Sequence, residues 1–513
     1  MNRNDLTSLA ARHLAQLIAR GEASALEATE QTIAHIEAVN PKLNAVVVKR
    51  FDQARADARS VDTKRSRGES LGPLAGVPVT IKECIDVAGL PSTFGLAWRK
   101  DHCAATDSVH VTLLKAAGAV IVGKTNVAQL LAYLESDNPV YGRTNNPWNR
   151  ERVCGGSSGG EGAIIAAGAA PLGLGTDIGG SVRCPAAFCG TASMKPTAGR
   201  CDDPGEYSFH VGQRAIVSQV GVLARNVDDV ALGLAVINGG PDFGDWRNVD
   251  IASLRVGYYV EDGTFGSAPA VRRSVREAAQ ALNHAGAQTV EWQPYDTTRA
   301  LRVASGLLVG DGLRSFREAL RGGPTHPTVT RMMSMAGKPR ILLNVGARLL
   351  DALGQKALAQ ALPYFAHADV YDYWQLVVEQ MDYRARFTEA MDRADGGPLD
   401  LILGPVCALP AFRHGSTRDL GLAGVNCILY NLLGYPAGVV PWSRVGQEEE
   451  SDRPFSRDIM EKVAKKCEEG SAGLPTAVQV AARPWRERVA LAAMHVIEEA
   501  ARKRSDYPQA PAL

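Results

Sequence analysis

The chain has 513 residues and a formal net charge of +1, and 45% of its residues are hydrophobic while 22% are charged. This composition is typical of a soluble globular protein that is long enough to bury a large core. The near-neutral charge lacks the basic excess of nucleic-acid-binding proteins, so nucleic acid is not among the predicted partners.

The N-terminal segment is predicted to form helices as far as about Asn40. Arginine, histidine and glutamine interrupt its apolar residues, so it lacks the apolar core of a signal peptide. No later segment offers the run of about 18 apolar residues that a membrane-spanning helix needs. The nine cysteines show neither metal-ligand spacing nor a secreted disulfide framework. We therefore expect a cytoplasmic protein without a metal ion or another cofactor.

Residues 76–83 have the alternation of a β-strand. The β-branched Val77, Val79 and Ile81 alternate with other residues, which places Lys82 on the opposite face. Burial of a lysine favours its neutral form, and a neutral lysine can accept a proton. Taken alone, a lysine at a strand end is more often an ammonium group in water. Lys82 becomes a candidate base only because of the serine-rich stretch that follows.

Residues 155–195 place serines among glycines and contain no histidine. Glycine lets the backbone approach a reacting group closely, and an oxyanion hole needs successive N–H groups beside the nucleophile. The pattern therefore predicts a serine nucleophile without an imidazole base. The candidate oxyanion donors are the backbone N–H groups of Ile178, Gly179, Gly180 and Ser181.

A histidine-based triad is the alternative. The chain has ten histidines, and none lies in a motif that points to Ser181. Triad partners come in any chain order, so a histidine brought close by folding stays open at this point. The Gly-x-Ser-x-Gly spacing of a nucleophile elbow is absent around Ser181.

These motifs resemble those of the amidase signature family, whose members hydrolyse amides with a Ser-Ser-Lys triad. The words VPVTIKE, GGSSGG and GTDIGGSVR stand in the family's order, and the similarity extends to GLPTAVQV at 473–480. The resemblance implies Lys82 as base, Ser157 as a bridging serine after a cis peptide bond, and Ser181 as nucleophile. It also implies supporting hydrogen bonds from Ser158, Thr176, Asp177 and Arg183.

The implied reaction is a proton relay. Lys82 takes a proton from Ser157, Ser157 takes one from Ser181, and Ser181 attacks the amide carbonyl to form an acyl-enzyme. The relay run backwards protonates the departing nitrogen. Water then hydrolyses the ester.

The resemblance and the alternation of strands with helices imply a single large α/β domain over residues 1–513. A mixed, twisted sheet is expected to be covered by helices on both faces. The expected parts are N-terminal helices over 1–70, a triad-bearing core over 71–240, a second α/β part over 254–440 and a C-terminal part over 441–513.

Further sequence motifs resemble those of the fatty-acid amide hydrolases of mammalian type, a subgroup of the family. They include Glu161 directly after GGSSGG, GDGLRSF at 310–316 and LYNLLGYPAGVVP at 429–441. The implied substrate is a lipid amide such as an N-acylethanolamine, cleaved to a free fatty acid and an amine. Two alternatives stay open: a soluble amidase for small or aryl amides, and a protein like the family's amidotransferase A subunit, which works with partner subunits on charged transfer RNA.

An acyl pocket needs apolar lining residues. The candidates, each of which would fit the core equally well, are Leu130, Leu131, Leu134, Leu308 and Ile428.

Residues 326–362 combine apolar and basic residues as a helix in a lipid interface does. Leu342, Val345, Leu349 and Leu353 recur at helical spacing with lysines and arginines around them. In the resembling subgroup this position holds a membrane-binding cap, which implies peripheral attachment to a membrane. A helix facing the core or a dimer contact would give the same pattern, so a homodimer is a further expectation.

Overall fold

A central β-sheet organises the chain, which the computed structural model describes over residues 5–202, 212–240 and 245–513. Residues 1–4 of the predicted N-terminal part and His210 lie outside the described residues. The strands in chain order are β1 (Val46–Lys49), β2 (Pro78–Lys82), β3 (Val120–Thr125), β4 (Asp137–Asn138), β5 (Gly142–Arg143), β6 (Leu172–Asp177), β7 (Ala192–Lys195), β8 (Gln219–Ala224), β9 (Arg255–Tyr258), β10 (Gln288–Glu291), β11 (Leu401–Pro405), β12 (Ala437–Arg444) and β13 (Pro475–Ala482).

Eleven of these strands form one mixed sheet in the order β1-β3-β2-β6-β8-β7-β12-β13-β11-β9-β10, and β4 pairs with β5 apart from it. β2 lies between β3 and β6 and runs parallel to both, whereas β6 is antiparallel to β8. Parallel neighbours present their carboxyl ends at the same edge of a sheet. Lys82 at the end of β2 therefore lies near Thr176 and Asp177 at the end of β6.

Helices connect and cover the strands. In the described part of the chain they are α1 (Ala11–Arg20), α2 (Ala25–Leu43), α3 (Phe51–Ser66), α4 (Val109–Ala116), α5 (Gly159–Ala166), α6 (Arg183–Cys189), α7 (Val227–Ile237), α8 (Pro269–His284), α9 (Thr297–Val309), α10 (Arg314–Leu320), α11 (Pro327–Met335), α12 (Arg340–Ala352), α13 (Lys356–Ala361), α14 (Val370–Asp392), α15 (Val425–Leu433), α16 (Ile459–Glu468) and α17 (Glu487–Ala501).

Apolar clusters fill both faces of the sheet. Val79 and Ile81 of β2 belong to one cluster, together with residues of α7, α8 and α17. Val120 and Val122 of β3 belong to the other, together with residues of α2, α5 and α6. A third cluster joins α9, α14 and α15 to the sheet. The predicted α/β domain, with a mixed sheet covered on both faces, is confirmed.

The N-terminal part departs from the prediction in one respect, because a strand interrupts its helices. α1 ends at Gly21, whose φ of 76° lies in the left-handed region, and α2 begins after Ser24, whose hydroxyl accepts the N–H of Glu27. The chain then forms β1, which pairs antiparallel with β3 at the edge of the sheet. Nowhere in the described ranges is a helix long and apolar enough to cross a membrane.

Candidate active site

Lys82 is fully buried at the carboxyl end of β2. Its Nζ donates to Ser157 Oγ at 2.8 Å, to Thr176 Oγ1 at 2.7 Å and to the Thr176 carbonyl at 3.3 Å. All three contacts of Nζ are therefore with oxygen atoms of the chain itself. The common alternative, a lysine with its ammonium in water, does not apply to Lys82.

The loop that carries Ser157 joins Cys154 to α5 and contains the cis peptide bond Gly156-Ser157. Ser136, to which the sequence motifs gave no role, holds this loop at three points. Its hydroxyl lies 3.3 Å from the carbonyl oxygens of both Gly155 and Ser157, and it accepts the N–H of Gly159 at 2.9 Å. The loop is therefore fastened on both sides of Ser157.

Ser181 lies between β6 and α6, and 8% of its surface is exposed. Its carbonyl accepts the N–H of Ser158 at 3.1 Å, which ties the two serine-bearing loops together. Among the described residues, no hydrogen bond joins Ser157 Oγ to Ser181 Oγ. In enzymes without substrate, catalytic hydrogen bonds are often long and tighten only in the complex. The relay step between the two serines remains a proposal.

Three of the four candidate oxyanion donors have no other acceptor. The N–H groups of Ile178, Gly179 and Ser181 donate to no residue that the structure describes. Ser181 is buried, whereas Ile178 and Gly179 are partly exposed, so all three N–H groups beside the serine are free to donate to an oxyanion. Gly180 differs, because its N–H donates to Asp177 Oδ1 at 2.8 Å. We therefore leave Gly180 out of the proposed oxyanion donors.

Asp177 and Arg183 form a fully buried ion pair beneath the Ser181 turn, with an N–O distance of 2.9 Å. Asp177 also accepts the N–H groups of Gly180 and Val182, at 2.8 and 3.1 Å. Burial alone would raise the pKa of Asp177, but the charge and hydrogen bonds of Arg183 hold that pKa well below its usual range. The ionised carboxylate thus fixes the backbone on both sides of Ser181.

The other donors of Arg183 reach distant parts of the chain. Its guanidinium donates to the carbonyl of Cys427, to Asn431 Oδ1 at 2.5 Å and to Gln479 Oε1 at 2.7 Å. Asn431 and Gln479 were not predicted as site residues, although both lie in motif words that carried the family resemblance. These two motifs therefore supply side chains that accept hydrogen bonds from Arg183.

Glu161 is another carboxylate buried near Lys82. Its two oxygens accept the hydroxyls of Thr80 at 2.6 Å and Thr125 at 2.8 Å, and Gly173 leaves room for it, since a Cβ there would lie 1.9 Å from Glu161 Oε2. Burial raises the pKa of Glu161 to about 8, which the two hydroxyls and Lys82 oppose only in part. The sequence gave Glu161 no predicted role beyond its place in a motif that resembles the fatty-acid amide hydrolases.

Glu161→Gln should flatten the pH dependence of stability. Because the pKa of Glu161 rises from the ordinary 4.5 to about 8 on folding, the folded state binds the proton more tightly, and stability falls as pH rises between these values. Gln keeps the shape and does not titrate. The free energy of unfolding in urea, measured from about pH 5 to 8, should decline less in the variant than in the wild type; parallel declines would contradict this assignment.

The candidate acyl-pocket residues fall into two groups. Leu130 is 1% exposed and belongs to the core. The other four are only partly buried, and they are Leu131, Leu134, Leu308 and Ile428. Ile428 is near the oxyanion turn, since a Cβ on Gly179 would lie 3.9 Å from it. Leu134 lies against Gly424 at the start of the same helix, α15.

No histidine outside residue 210 hydrogen-bonds Ser157 or Ser181 in the structure described. His414, for example, pairs with Glu135 at 2.8 Å, and His110 contacts two backbone carbonyls. Over the same described ranges, no three His, Cys, Asp or Glu side chains cluster as metal ligands would. The geometry therefore favours a lysine rather than a histidine as the base.

Known proteins resemble this chain along most of its length. The chain is 36% identical over 443 residues to fatty-acid amide hydrolase 1 of Sus scrofa, covering 83% of this chain and 76% of that protein. It is 34% identical over 457 residues to the A subunit of glutamyl-tRNA(Gln) amidotransferase from Roseiflexus castenholzii, covering 83% and 87%. Its fold matches a solved structure of fatty acid amide hydrolase with a TM-score of 0.81 at 24% identity, covering 97% and 86%.

The predicted family is confirmed by these relatives and by a family model. The motifs that carry the resemblance lie between residues 76 and 480, and the family match extends over nearly the whole chain. Because the model of the Amidase family matches residues 27–491, the chain belongs to the amidase family and is an amide hydrolase.

Proposed function

We propose that the protein hydrolyses fatty-acid amides, such as N-acylethanolamines, to a fatty acid and an amine through an acyl-enzyme on Ser181. The observation that carries the mechanism is the buried contact of 2.8 Å between Lys82 Nζ and Ser157 Oγ. It puts a candidate base against a hydroxyl whose loop is tied to the Ser181 turn. The relatives at about a third identity include fatty-acid amide hydrolases, which supports the lipid substrate.

In the first half of the reaction, neutral Lys82 accepts the Ser157 proton while Ser157 accepts that of Ser181. The Ser181 oxygen forms a bond to the amide carbon, and the carbonyl oxygen becomes an oxyanion. The N–H groups of Ile178, Gly179 and Ser181 would stabilise this charge. Collapse of the intermediate breaks the carbon–nitrogen bond as Ser157 protonates the amine and Lys82 returns a proton to Ser157. In the second half, water attacks the ester carbon as the relay removes its proton, the bond to Ser181 Oγ breaks, and the relay returns the proton to Ser181 as the acid leaves.

α12 supports a substrate that arrives from a lipid surface. Its apolar row does not face the core, because Leu342, Val345 and Leu349 are 62%, 59% and 62% exposed. Exposed basic residues, including Lys338 and Arg340, precede the row. A large exposed apolar surface with basic residues beside it is typical of an interfacial helix. We therefore favour peripheral membrane attachment over the alternative of a packed helix.

The second candidate function is that of an amidotransferase A subunit, because a relative that is 34% identical to this chain is such a subunit. A net charge of +1 gives no basic footprint for transfer RNA. A homodimer remains a prediction. The helix α14 has a row of exposed apolar residues that could form the dimer contact, and size-exclusion chromatography would measure the oligomeric state. The exposed residues of α14 are Val370, Tyr371, Trp374, Val378 and Met381.

The substrate test compares a long-chain N-acylethanolamine with a short aryl amide in detergent. We expect a higher kcat/KM for the long chain, and Ser181→Ala should lose roughly 1,000-fold or more on both substrates because the nucleophile is gone. Ser193→Ala is a matched control, since the Ser193 hydroxyl on β7 has no partner among the described residues. A higher kcat/KM for the aryl amide would contradict the proposal that the substrate is a lipid amide. Hydrolysis only with added partner subunits would favour the second candidate.

The membrane test introduces two charges into the α12 row. Leu342→Glu with Leu349→Glu should reduce co-sedimentation with vesicles of phosphatidylcholine and phosphatidylserine, because burying a carboxylate in the lipid interface is costly. Ser60→Glu with Thr63→Glu adds the same charge to exposed positions of α3 and should leave binding unchanged. Equal sedimentation of both double variants and the wild type would leave α12 without a membrane role.

A further inference from the structure

We propose that His326 is a positioning residue that sets acyl-chain selectivity by fastening the start of α11 to residues 129–137, here called the 129–137 loop. The proposal rests on the proposed function, because this loop carries the candidate acyl-pocket residues Leu131 and Leu134. It assigns a role to a histidine that takes no part in the proton relay.

The His326 side chain contacts the loop through its ring. The ring stacks on Tyr133 with centroids 4.8 Å apart and planes 15° from parallel. Nδ1 accepts the N–H of Thr328 at 3.2 Å as the N-cap of α11, so the proton of the neutral ring is on Nε2. Nε2 faces Asp137 Oδ2 at 3.6 Å, which is too long for a hydrogen bond. Ring stacking is therefore the main side-chain contact of His326 with the loop.

Gln129 makes a second link between the same two segments. Its Oε1 accepts the backbone N–H of His326 at 2.8 Å, and its Nε2 donates to the carbonyl of Pro324 at 2.9 Å. The amide thus holds the chain at two points just before α11. Gln129 itself is fully buried, so the link is protected from competing water.

The backbone between these links is strained. Leu130 and Leu131 have φ angles of 55° and 56°, which is a region that leucine rarely adopts and that persists only where the surroundings impose it. The side chain of Leu130 is buried in the core. The contacts of Gln129 and Tyr133 restrain the chain before and after the kink at the two leucines. Without the His326 ring, the kink loses a restraint on the side of Leu131 and Leu134.

Glu135 and Ser136, in the far half of the loop, are held by contacts other than those of His326. Glu135 accepts a hydrogen bond from the N–H of Gly415 at 3.0 Å and one from the hydroxyl of Thr417 at 3.1 Å, and Ser136 is bound to the Ser157 loop. Loss of the His326 contact should therefore move Leu131 and Leu134 while Ser136 and Ser157 stay in place. The expected signature is a change in KM for long acyl chains with little change in kcat for a short amide.

Two substitutions separate the ring from the helix cap. His326→Asn keeps an acceptor for the Thr328 N–H and removes the ring, whereas His326→Phe keeps a stacking ring and removes the acceptor. For the Asn variant we expect the ratio of kcat/KM between a long-chain and a short amide to fall about tenfold, near the upper limit for one aromatic pair. Most of this fall should come from KM. The Phe variant should keep most of the ratio.

Three outcomes would overturn the proposal: an unchanged ratio in His326→Asn, an equal fall in His326→Phe, or a loss of kcat on both substrates in a folded protein. Hydrogen exchange provides a readout that needs no substrate. Amides of residues 129–134 should exchange faster in His326→Asn than in the wild type, while those of residues 135 and 136 should not change. If the wild type prefers the aryl amide, the proposed function fails, and the exchange result still decides whether His326 positions the loop.

Discussion

Lys82→Ala should lower amide turnover at neutral pH by about 10,000-fold or more, as removal of a triad member does in other serine hydrolases. The physical reason is that Ser157 loses the group 2.8 Å away that would accept its proton and return it. The measurement is kcat for the preferred amide with the purified variant, after its fold has been checked by circular dichroism. Turnover near that of the wild type would rule out Lys82 as the base.

The matched control is Lys124→Ala on the neighbouring strand β3. Lys124 is also fully buried, and its Nζ donates to Pro91 O at 2.5 Å and to Ser92 Oγ at 2.8 Å rather than to the candidate serines. Its loss should reduce stability and leave the kcat of the folded fraction within a few-fold of the wild type. A comparable loss of kcat in both folded variants would mean that the loss does not depend on the contact between the lysine and Ser157.

An ester with the same acyl group sharpens the test. An amide nitrogen must be protonated before it can leave, whereas an alkoxide leaves more readily without help. Lys82→Ala should therefore cost less on the ester than on the amide. Equal losses on both substrates would contradict the part of the relay that protonates the amine.

Short-range patterns predicted that Lys82 lies on a strand, as it does, whereas the catalytic roles of Lys82, Ser157 and Ser181 stay predictions. The alternation of residues 76–83 fixed the face of Lys82, and this face depends only on the two-residue period of a strand. The structure then brings Lys82 within 2.8 Å of Ser157, a contact between residues 75 positions apart that came from the family resemblance and not from the period.

Contacts across long stretches of chain were not predictable. Arg183 reaches Asn431 and Gln479, which are 248 and 296 residues away, and no local pattern encodes which polar side chain meets which. The engagement of the Gly180 N–H by Asp177 was missed for a related reason. The sequence indicates that a turn offers backbone N–H donors. The shape of the turn determines which side chain accepts a hydrogen bond from one of them.

Periodicity also left the environment of α12 undecided. Leu342 and Leu349 recur at a spacing that fits a core, a membrane or a dimer equally, because an apolar stripe has the same period whatever covers it. Their exposure of 62% each excludes the core and leaves the membrane and the dimer as alternatives. Leu130 shows the reverse case, since an apolar residue offered for the pocket lies in the core.

Arg183→Met should lower the free energy of unfolding by about 3–5 kcal/mol, which is the cost of leaving one partner of a buried ion pair without the other. Both side chains are fully buried, so water cannot replace the guanidinium around Asp177. Met fills a similar volume, which limits the cavity. Urea unfolding measures the change, and Arg393→Met serves as control because Arg393 pairs with Glu389 on the surface, with 79% of its side chain exposed. The control should change stability little.

Adding Asp177→Asn to Arg183→Met should recover part of that stability, because the second change removes the unpaired charge that the first one leaves. Activity should not recover with it. Asp177 holds the N–H groups of Gly180 and Val182 on either side of Ser181, and Asn offers a single carbonyl oxygen where the carboxylate has two. A double variant as unstable as Arg183→Met alone would mean that Arg183 stabilises the fold through α15 and β13 rather than through Asp177. A double variant with wild-type kcat would mean that the ion pair does not position the nucleophile.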